Sequence, residues 1–429
     1  MQDGFSGRSG SPPCPVTERS AKNLPEAEEE LPLVFNEYCT TWGNPSHENI
    51  VKILDAVKDK GFTYFVIDAG WYKQEGGSWD AGMGDYEVSG ELFPDGMEKT
   101  TAAVKAAGLK PGIWFEFENA GPASKIYNCT EHLLKRDGFA LTTSRRRFLD
   151  MNDPWVIRYL DERLIGMLKR YGFEYLKTDY NDTIGIGCDG CESLGEGLRR
   201  NIAGTQDYFR KIAQEIPGIV IENCASGGHR LEPGFMALSA MSSFSDAHEC
   251  EEIPVIAANL HRAVLPRQSQ IWAVIRKTDS LKRIAYSIAS TFLGRMCLSG
   301  DVTELSEAQW EVIGRGTAFY KKIAPVIKEG ISLRYGPQIS CIRHPKGWQC
   351  LLRLGVNGKG FAVIHTFDGE LPQRIDIPLP EDCVCSVEEI YSDTQENVSA
   401  EGGMLRYVPL ENRKAVAVYL DMKASGTTE

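Results

Sequence analysis

The sequence predicts an α/β fold, a (β/α)8 TIM barrel followed by a C-terminal all-β domain of antiparallel sandwich type, on three observations. Between residues 33 and 329, short apolar runs that end in polar or charged residues alternate eight times with longer segments of helical period, which is the pattern of a parallel barrel. An open doubly wound sheet, the alternative, would carry a Gly-x-Gly-x-x-Gly turn after its first strand, and none follows residues 33–38. From 330 to 422 the helical period gives way to short alternating segments (CIRH, WQCLLRLG, GFAVIHTF, RIDIPL, AVAVYL) separated by the turn sequences HPKG, VNGKG, FDGE and EGG.

In chain order, residues 1–32 mix Gly, Ser, Pro and a charge run without either period, and a poorly ordered leader is expected there. The expected barrel strands are 33–38, 64–67, 111–116, 174–178, 219–222, 241–245, 270–274 and 295–299. Between them lie helical patterns at 47–60, 97–107, 154–171, 194–216 and 280–292. Two helices have clear starts, after Asn44-Pro45-Ser46 and at Asn152-Asp153-Pro154, where proline suits the first helical position because its missing N–H would be unpaired there anyway. The sandwich occupies 330–422 and a short tail 423–429.

Composition narrows the function classes. With 47 Lys+Arg against 59 Asp+Glu the formal charge is −12, and the basic run Arg145-Arg146-Arg147 is no phosphate-neutralising surface, so nucleic acid is not expected as a partner. No window approaches 18 apolar residues and no basic start precedes an apolar run, so neither a membrane span nor a secretory leader is expected, and the cytoplasm is the default compartment. The 12 cysteines are irregularly spaced, several in apolar contexts (Cys39, Cys297, Cys385), which suits buried thiols better than a disulfide framework.

In such a barrel the chemistry sits at the C-terminal ends of the strands. Those ends read Asp68-Ala69-Gly70-Trp71, Trp114-Phe115-Glu116-Phe117-Glu118, Lys177-Thr178-Asp179-Tyr180, Glu222-Asn223-Cys224-Ala225-Ser226-Gly227 and Ser245-Asp246-Ala247-His248. Carboxylates crowding one rim are costly unless they bind metal, pair with cations or meet a ligand rich in hydroxyls. Asp68, Glu116, Asp179 and Asp246 are hard oxygen donors, but no His-x-His or His-Glu-x-x-His spacing supports a metal, and none is expected. Carboxylates beside Trp71, Trp114 and Tyr180 suit a sugar, whose hydroxyls they bind while an aromatic face covers the ring. Glycoside hydrolysis then needs two carboxyl groups in different roles. Strand alternation puts Lys177 and Asp179 on one face, so the ammonium can hold Asp179 ionised as a nucleophile. Asp246 is the candidate acid. Each of the two aspartates is also read plainly as a helix N-cap. Glu116 and Glu118, on one face of one strand, read as supports.

The segments FVIDAGW (65–71), GDYEVSGELFPDGM (84–97), GLKPGIWFEFE (108–118), FLDMNDPWV (148–156), YLKTDYN (175–181), ENCASGGHR (222–230) and SSFSDAHE (242–249) stand in one order. Together they resemble the catalytic barrel of glycoside hydrolase family 36, the melibiase or bacterial α-galactosidase family, over residues 36–326. The resemblance implies a retaining exo-glycosidase acting on terminal α-linked galactose of oligosaccharides or glycans, with neither metal nor organic cofactor. It places Asp179 as nucleophile and Asp246 as acid/base. Asp68 and Lys177 match binders of galactose hydroxyls, and Cys224 and Gly227 match the turn beside the 2-position. Trp114 matches a Trp-Phe-Glu strand end, and Arg145, among the three arginines, matches one that lines the pocket. Trp71 and His248 complete the expected substrate contacts.

Three departures stand out. Asp68-Ala69 replaces the family's two consecutive aspartates, which bears on recognition of the 4- and 6-hydroxyls. His229-Arg230 follows the glycines near the 2-position, leaving N-acetylgalactosamine and galactosamine open. A large β-domain precedes the barrel in many family members, whereas only the polar leader precedes it here, so a truncated chain and a partner-completed pocket are expectations, with a homo-oligomer implied by resemblance. Transglycosylation and a non-catalytic carbohydrate-binding remnant stand as alternative functions. Cys188-Asp189-Gly190-Cys191 has the spacing of half a zinc knuckle, but no second pair follows. His261 reads as structural, and Trp42 is undecided between core and site.

Overall fold

The computed structural model describes residues 25–74, 76–244, 246, 251–356, 358–381 and 383–424. Most of the expected leader lies outside the described residues, as do 425–429 of the expected tail and His248. The fold class is the one expected, a barrel sheet of eight strands with its helices, followed by antiparallel sheets. The barrel strands are β1 (Val34–Asn36), β2 (Tyr64–Ile67), β3 (Lys110–Phe115), β4 (Tyr175–Thr178), β5 (Val220–Asn223), β6 (Ser242–Ser243), β7 (Ser269–Ile275) and β8 (Arg295–Gly300).

Two compact units divide the chain between Ser243 and Phe244. In the first, β5, β4, β3, β2 and β1 lie side by side in that order, all parallel. Nearly every residue of these strands is buried, as expected of strands packed on both faces. The parallel register pairs Ile67 with Ile113 and Trp114 with Lys177, so neighbouring strands end at similar heights and their next residues share one rim.

The crossover helices are capped locally. Ser46 accepts the Asn49 N–H ahead of His47–Val57, whose Ile50, Ile53, Leu54 and Val57 form the buried stripe. Asp153 accepts the Trp155 N–H, with Pro154 at the first position, and the following helix passes through a π-turn at Asp161–Ile165 to Tyr171, where Gly172 (φ 66°) ends it. Between β3 and that helix the chain makes short hairpins that the sequence pattern leaves unmarked: Asn119–Ala120, Arg146–Phe148 and Thr142–Thr143 form one small sheet, and Lys135–Arg136 pairs with Phe139–Ala140.

In the second unit β7 and β8 pair in parallel. The helix Glu307–Glu329 ends just before Ile331–Tyr335, the first strand of a five-stranded antiparallel sheet. A three-stranded sheet of Ile375–Pro378, Met404–Tyr407 and Val398–Glu401 supplies the other layer. Leu352, Ile364, Val416 and Leu420 of the larger sheet share a core with Ile375, Ile377 and Leu405 of the smaller one. Among the described residues no helix is long and apolar enough to cross a membrane.

Candidate active site

At the end of β2, Asp68 is buried and turns its Oδ2 toward two donors, Asn36 Nδ2 at 2.6 Å and Lys177 Nζ at 2.7 Å, while Oδ1 accepts the Ala69 N–H at 2.8 Å. The Asp68 N–H in turn donates to Glu37 Oε1 at 2.8 Å, and burial pushes the Glu37 carboxyl up to about 8. Lys177, on buried β4, is itself 5% exposed. Burial opposes its charge, but Asp68, with Cys224, Glu222 and Asp179, more than offsets this and holds the ammonium well above its ordinary pKa.

Asp179 follows β4 directly and is partly exposed. Among the described residues its carboxylate accepts four hydrogen bonds: Oδ1 from the backbone N–H of Ser226 (2.8 Å) and Tyr180 (2.9 Å), Oδ2 from Asn181 Nδ2 (2.9 Å) and the Trp114 ring N–H (3.1 Å). Burial alone would raise its pKa, but Lys177 and these N–H donors bring it below the ordinary aspartate value, so Asp179 is a carboxylate at neutral pH. The Ser226 N–H reaches Asp179 because three consecutive residues after Cys224 are left-handed: Ala225 (φ 46°), Ser226 (φ 54°) and Gly227 (φ 70°). Two of the three are not glycine, so the turn carries strain, and it fixes one backbone donor on Asp179.

Behind this carboxylate lies a buried polar layer. Glu116 accepts from Asn181, Arg146 and Asn119; burial pushes it up to about 7, Asp179 adds to this, and Arg146 and Asn181 oppose it. Glu118 takes Arg230 on both oxygens (2.5 and 3.0 Å) and the Thr205 hydroxyl at 2.8 Å. Glu222 takes Tyr175 at 2.5 Å and Ser243 at 2.6 Å.

The structure therefore brings Asp68, Trp114, Lys177 and Asp179 together, with Cys224 buried at the foot of the turn that holds Gly227. Trp71 is fully buried behind Trp114, its ring N–H donating to the Trp114 carbonyl at 2.9 Å. Arg145 is exposed, and its neighbour Arg146 is the one that reaches Glu116 (2.9 Å). Asp246 is exposed, and the residues on either side of it lie outside the described residues. Asn36, Asn181 and the Ser226 N–H are not among the site residues expected from sequence; Asn181 stands there as the last letter of YLKTDYN. Cys191 accepts from Arg200 at 3.5 Å, and Cys188 packs with Phe148 and Tyr180. Among the described residues no cluster of three or more His, Cys, Asp or Glu is arranged to hold a metal ion.

The family model for Melibiase matches residues 19–330, more than half of the chain. α-Galactosidase 1 of Pediococcus pentosaceus is 28% identical over 319 residues, which is 70% of this chain and 42% of that protein. α-Galactosidase AgaA of Geobacillus stearothermophilus is 25% identical over 327 residues, 71% of this chain and 43% of that protein. The chain thus spans less than half the length of these relatives. The crystal structure of a variant of AgaA, a glycoside hydrolase family 36 α-galactosidase, in complex with stachyose superposes with a TM-score of 0.78 at 19% identity, covering 96% of this chain and 58% of that one. With the Melibiase model matching residues 19–330 and α-galactosidases among its relatives, the chain belongs to the melibiases, glycoside hydrolase family 36.

Proposed function

We propose that the chain is a retaining exo-glycosidase that removes terminal, non-reducing α-linked galactose from oligosaccharides. The observation that carries this reading is the state of Asp179: a rim carboxylate kept ionised by Lys177 and held on both oxygens by N–H donors, as a nucleophile must be. Asp179 attacks the anomeric carbon while protonated Asp246 gives its proton to the departing glycosidic oxygen. Asp246 then takes a proton from the water that attacks the glycosyl ester, restoring Asp179 and releasing the sugar with its configuration retained. Asp68 and Lys177, already paired, present an acceptor and a donor to sugar hydroxyls, and Cys224 and Gly227 flank the 2-position. Trp114 faces Asp179 through its ring N–H, with Trp71 supporting it from behind, and Arg145 and His248 are proposed as outer contacts. The stachyose complex of the family 36 relative supports an oligosaccharide as substrate.

A 2-substituted sugar is the second candidate, suggested by His229-Arg230. Against it, Arg230 is already committed to both oxygens of Glu118 and to the face of Tyr180 at 3.6 Å, so its charge is not offered to a substituent. A panel of p-nitrophenyl α-galactoside, α-N-acetylgalactosaminide, α-galactosaminide and α-glucoside tests the reading. The galactoside is expected to turn over best, with the α-anomer of galactose formed first by NMR, and chelator is expected to have no effect. Asp179→Ala is expected to lower kcat by about 10³-fold or more. Binding of galactosides without turnover would support the carbohydrate-binding remnant instead.

A further inference from the structure

The two oxygens of Asp179 are held by different means. Oδ1 is fixed by backbone, the N–H groups of Ser226 and Tyr180. Among the described residues, Oδ2 is held by side chains, Trp114 and Asn181. Trp114 is buried among aromatic rings, with Trp79 edge-on at 5.7 Å and Tyr72 stacked at 6.0 Å, and has no room to turn. Asn181 is short and lies in a loop, so what keeps its amide facing Asp179 has to be found outside its own backbone.

That something is Glu116. The Asn181 side-chain nitrogen lies between two carboxylates, 2.9 Å from Asp179 Oδ2 and 2.7 Å from Glu116 Oε2, and the Asn181 backbone N–H donates to Glu116 Oε1 at 2.8 Å. An amide nitrogen carries two hydrogens, so each carboxylate receives one. The reverse orientation would aim the amide oxygen at the Asp179 carboxylate and at Glu116 Oε2, taking the donor from both, so the hydrogen-bond geometry favours a single way for Asn181 to face. Glu116 is fixed in turn from the other side, by Arg146 Nη1 (2.9 and 3.3 Å) and by Asn119 Nδ2. All these partners of the Glu116 carboxylate are donors, which hold it as an acceptor.

We propose that Glu116 is a positioning residue for Asp179 that acts through Asn181, the buried carboxylate orienting the amide and the amide orienting Oδ2. The proposal rests on the reading of Asp179 as the nucleophile. Nothing in it requires Glu116 to touch the sugar. A merely structural Glu116 would lower the amount of folded protein and leave the per-molecule kinetics and the titration of Asp179 alone.

Asn181→Ala removes one donor from Oδ2. It is expected to lower kcat for p-nitrophenyl α-galactoside by about 10²-fold, the cost of a slightly misplaced reacting group, with KM little changed. Glu116→Gln places an NH2 group where Asn181 needs an acceptor and turns the amide over, so a loss of the same order is expected. Because one residue works through the other, the double variant should be no worse than Asn181→Ala alone. Losses that multiply in the double variant, or a Glu116→Gln enzyme with wild-type kcat, would overturn the proposal. If circular dichroism shows Glu116→Gln unfolded, Glu116→Asp, which withdraws the carboxylate by one methylene, takes its place in the cycle. A second measurement stands apart from turnover: the Asp179 carboxyl, labelled with ¹³C-aspartate and assigned with Asp179→Asn, is titrated by NMR. Its pKa is expected to rise in Asn181→Ala, because a donor to the charged form is gone. An unchanged titration sinks the positioning role even if wild-type protein has no galactosidase activity, whereas a shifted titration in an inactive protein sinks only the functional reading.

Discussion

Removing the Arg230 guanidinium would strand a charge inside the protein. Glu118 is 3% exposed and meets Arg230 through both oxygens, with the guanidinium lying over Tyr180 and Phe235 at 3.6 and 4.6 Å. Arg230→Met is therefore expected to lower unfolding free energy in urea by about 3–5 kcal/mol, and Glu118→Gln added to it should restore a good part, since the uncompensated charge is what destabilises. At this scale the sequence revealed Asp68, Lys177 and Asp179 because strand alternation and the barrel rim alone bring them out. It did not separate Arg146 from Arg145. The two are adjacent letters, and which one turns inward is decided by a two-residue pairing, Thr143 with Arg146, and by left-handed Ser144 (φ 54°) before it. Hydrogen bonds given by backbone, such as the one from Ser226, leave no trace in side-chain identity.

Elements were legible in proportion to their length and periodicity. The pattern at 64–67 coincides with β2, and the pattern at 97–107 runs one residue past the helix Met97–Ala106. Of the strand expected at 241–245, Ser242–Ser243 form β6, and residue 245 lies outside the described residues. The pattern at 154–171 reads as one helix and conceals the π-turn at Asp161–Ile165, because one extra residue in a turn barely moves the apolar stripe. Strands of two residues, like those carrying Arg146, are too short to show any period. The helix Glu307–Glu329 lies outside the helical patterns expected from sequence, and it opens with a reciprocal capping box between Ser306 and Gln309. Ser306→Ala is expected to cost about 1 kcal/mol in thermal or urea unfolding, with no effect on catalysis.

For the molecule as a whole, acid stability should depend on a histidine far from the chemistry in sequence. His365 is fully buried in the five-stranded sheet, edge-on to Tyr286 at 5.1 Å, with its Nε2 3.2 Å from the Ser290 hydroxyl. Burial lowers its pKa from 6.5 to about 3, so the folded state holds it neutral while the unfolded state takes up a proton. The stability this represents is intact above pH 6.5 and is lost progressively as pH falls from there toward 3. Thermal midpoints measured by differential scanning fluorimetry should fall over that window, and His365→Leu should flatten the slope. A slope unchanged by the substitution would assign the acid sensitivity to other groups.

The turn at Ala225, Ser226 and Gly227 sets a limit on how this chain can be improved. Replacing Ala225 or Ser226 by glycine would relax a backbone that L-residues adopt reluctantly, by roughly 1 kcal/mol each. A screen for heat resistance would favour those changes. Each would also loosen the amide that grips Asp179, so hardier variants drawn from this stretch should be slower ones, and robustness is better sought in the antiparallel sheets.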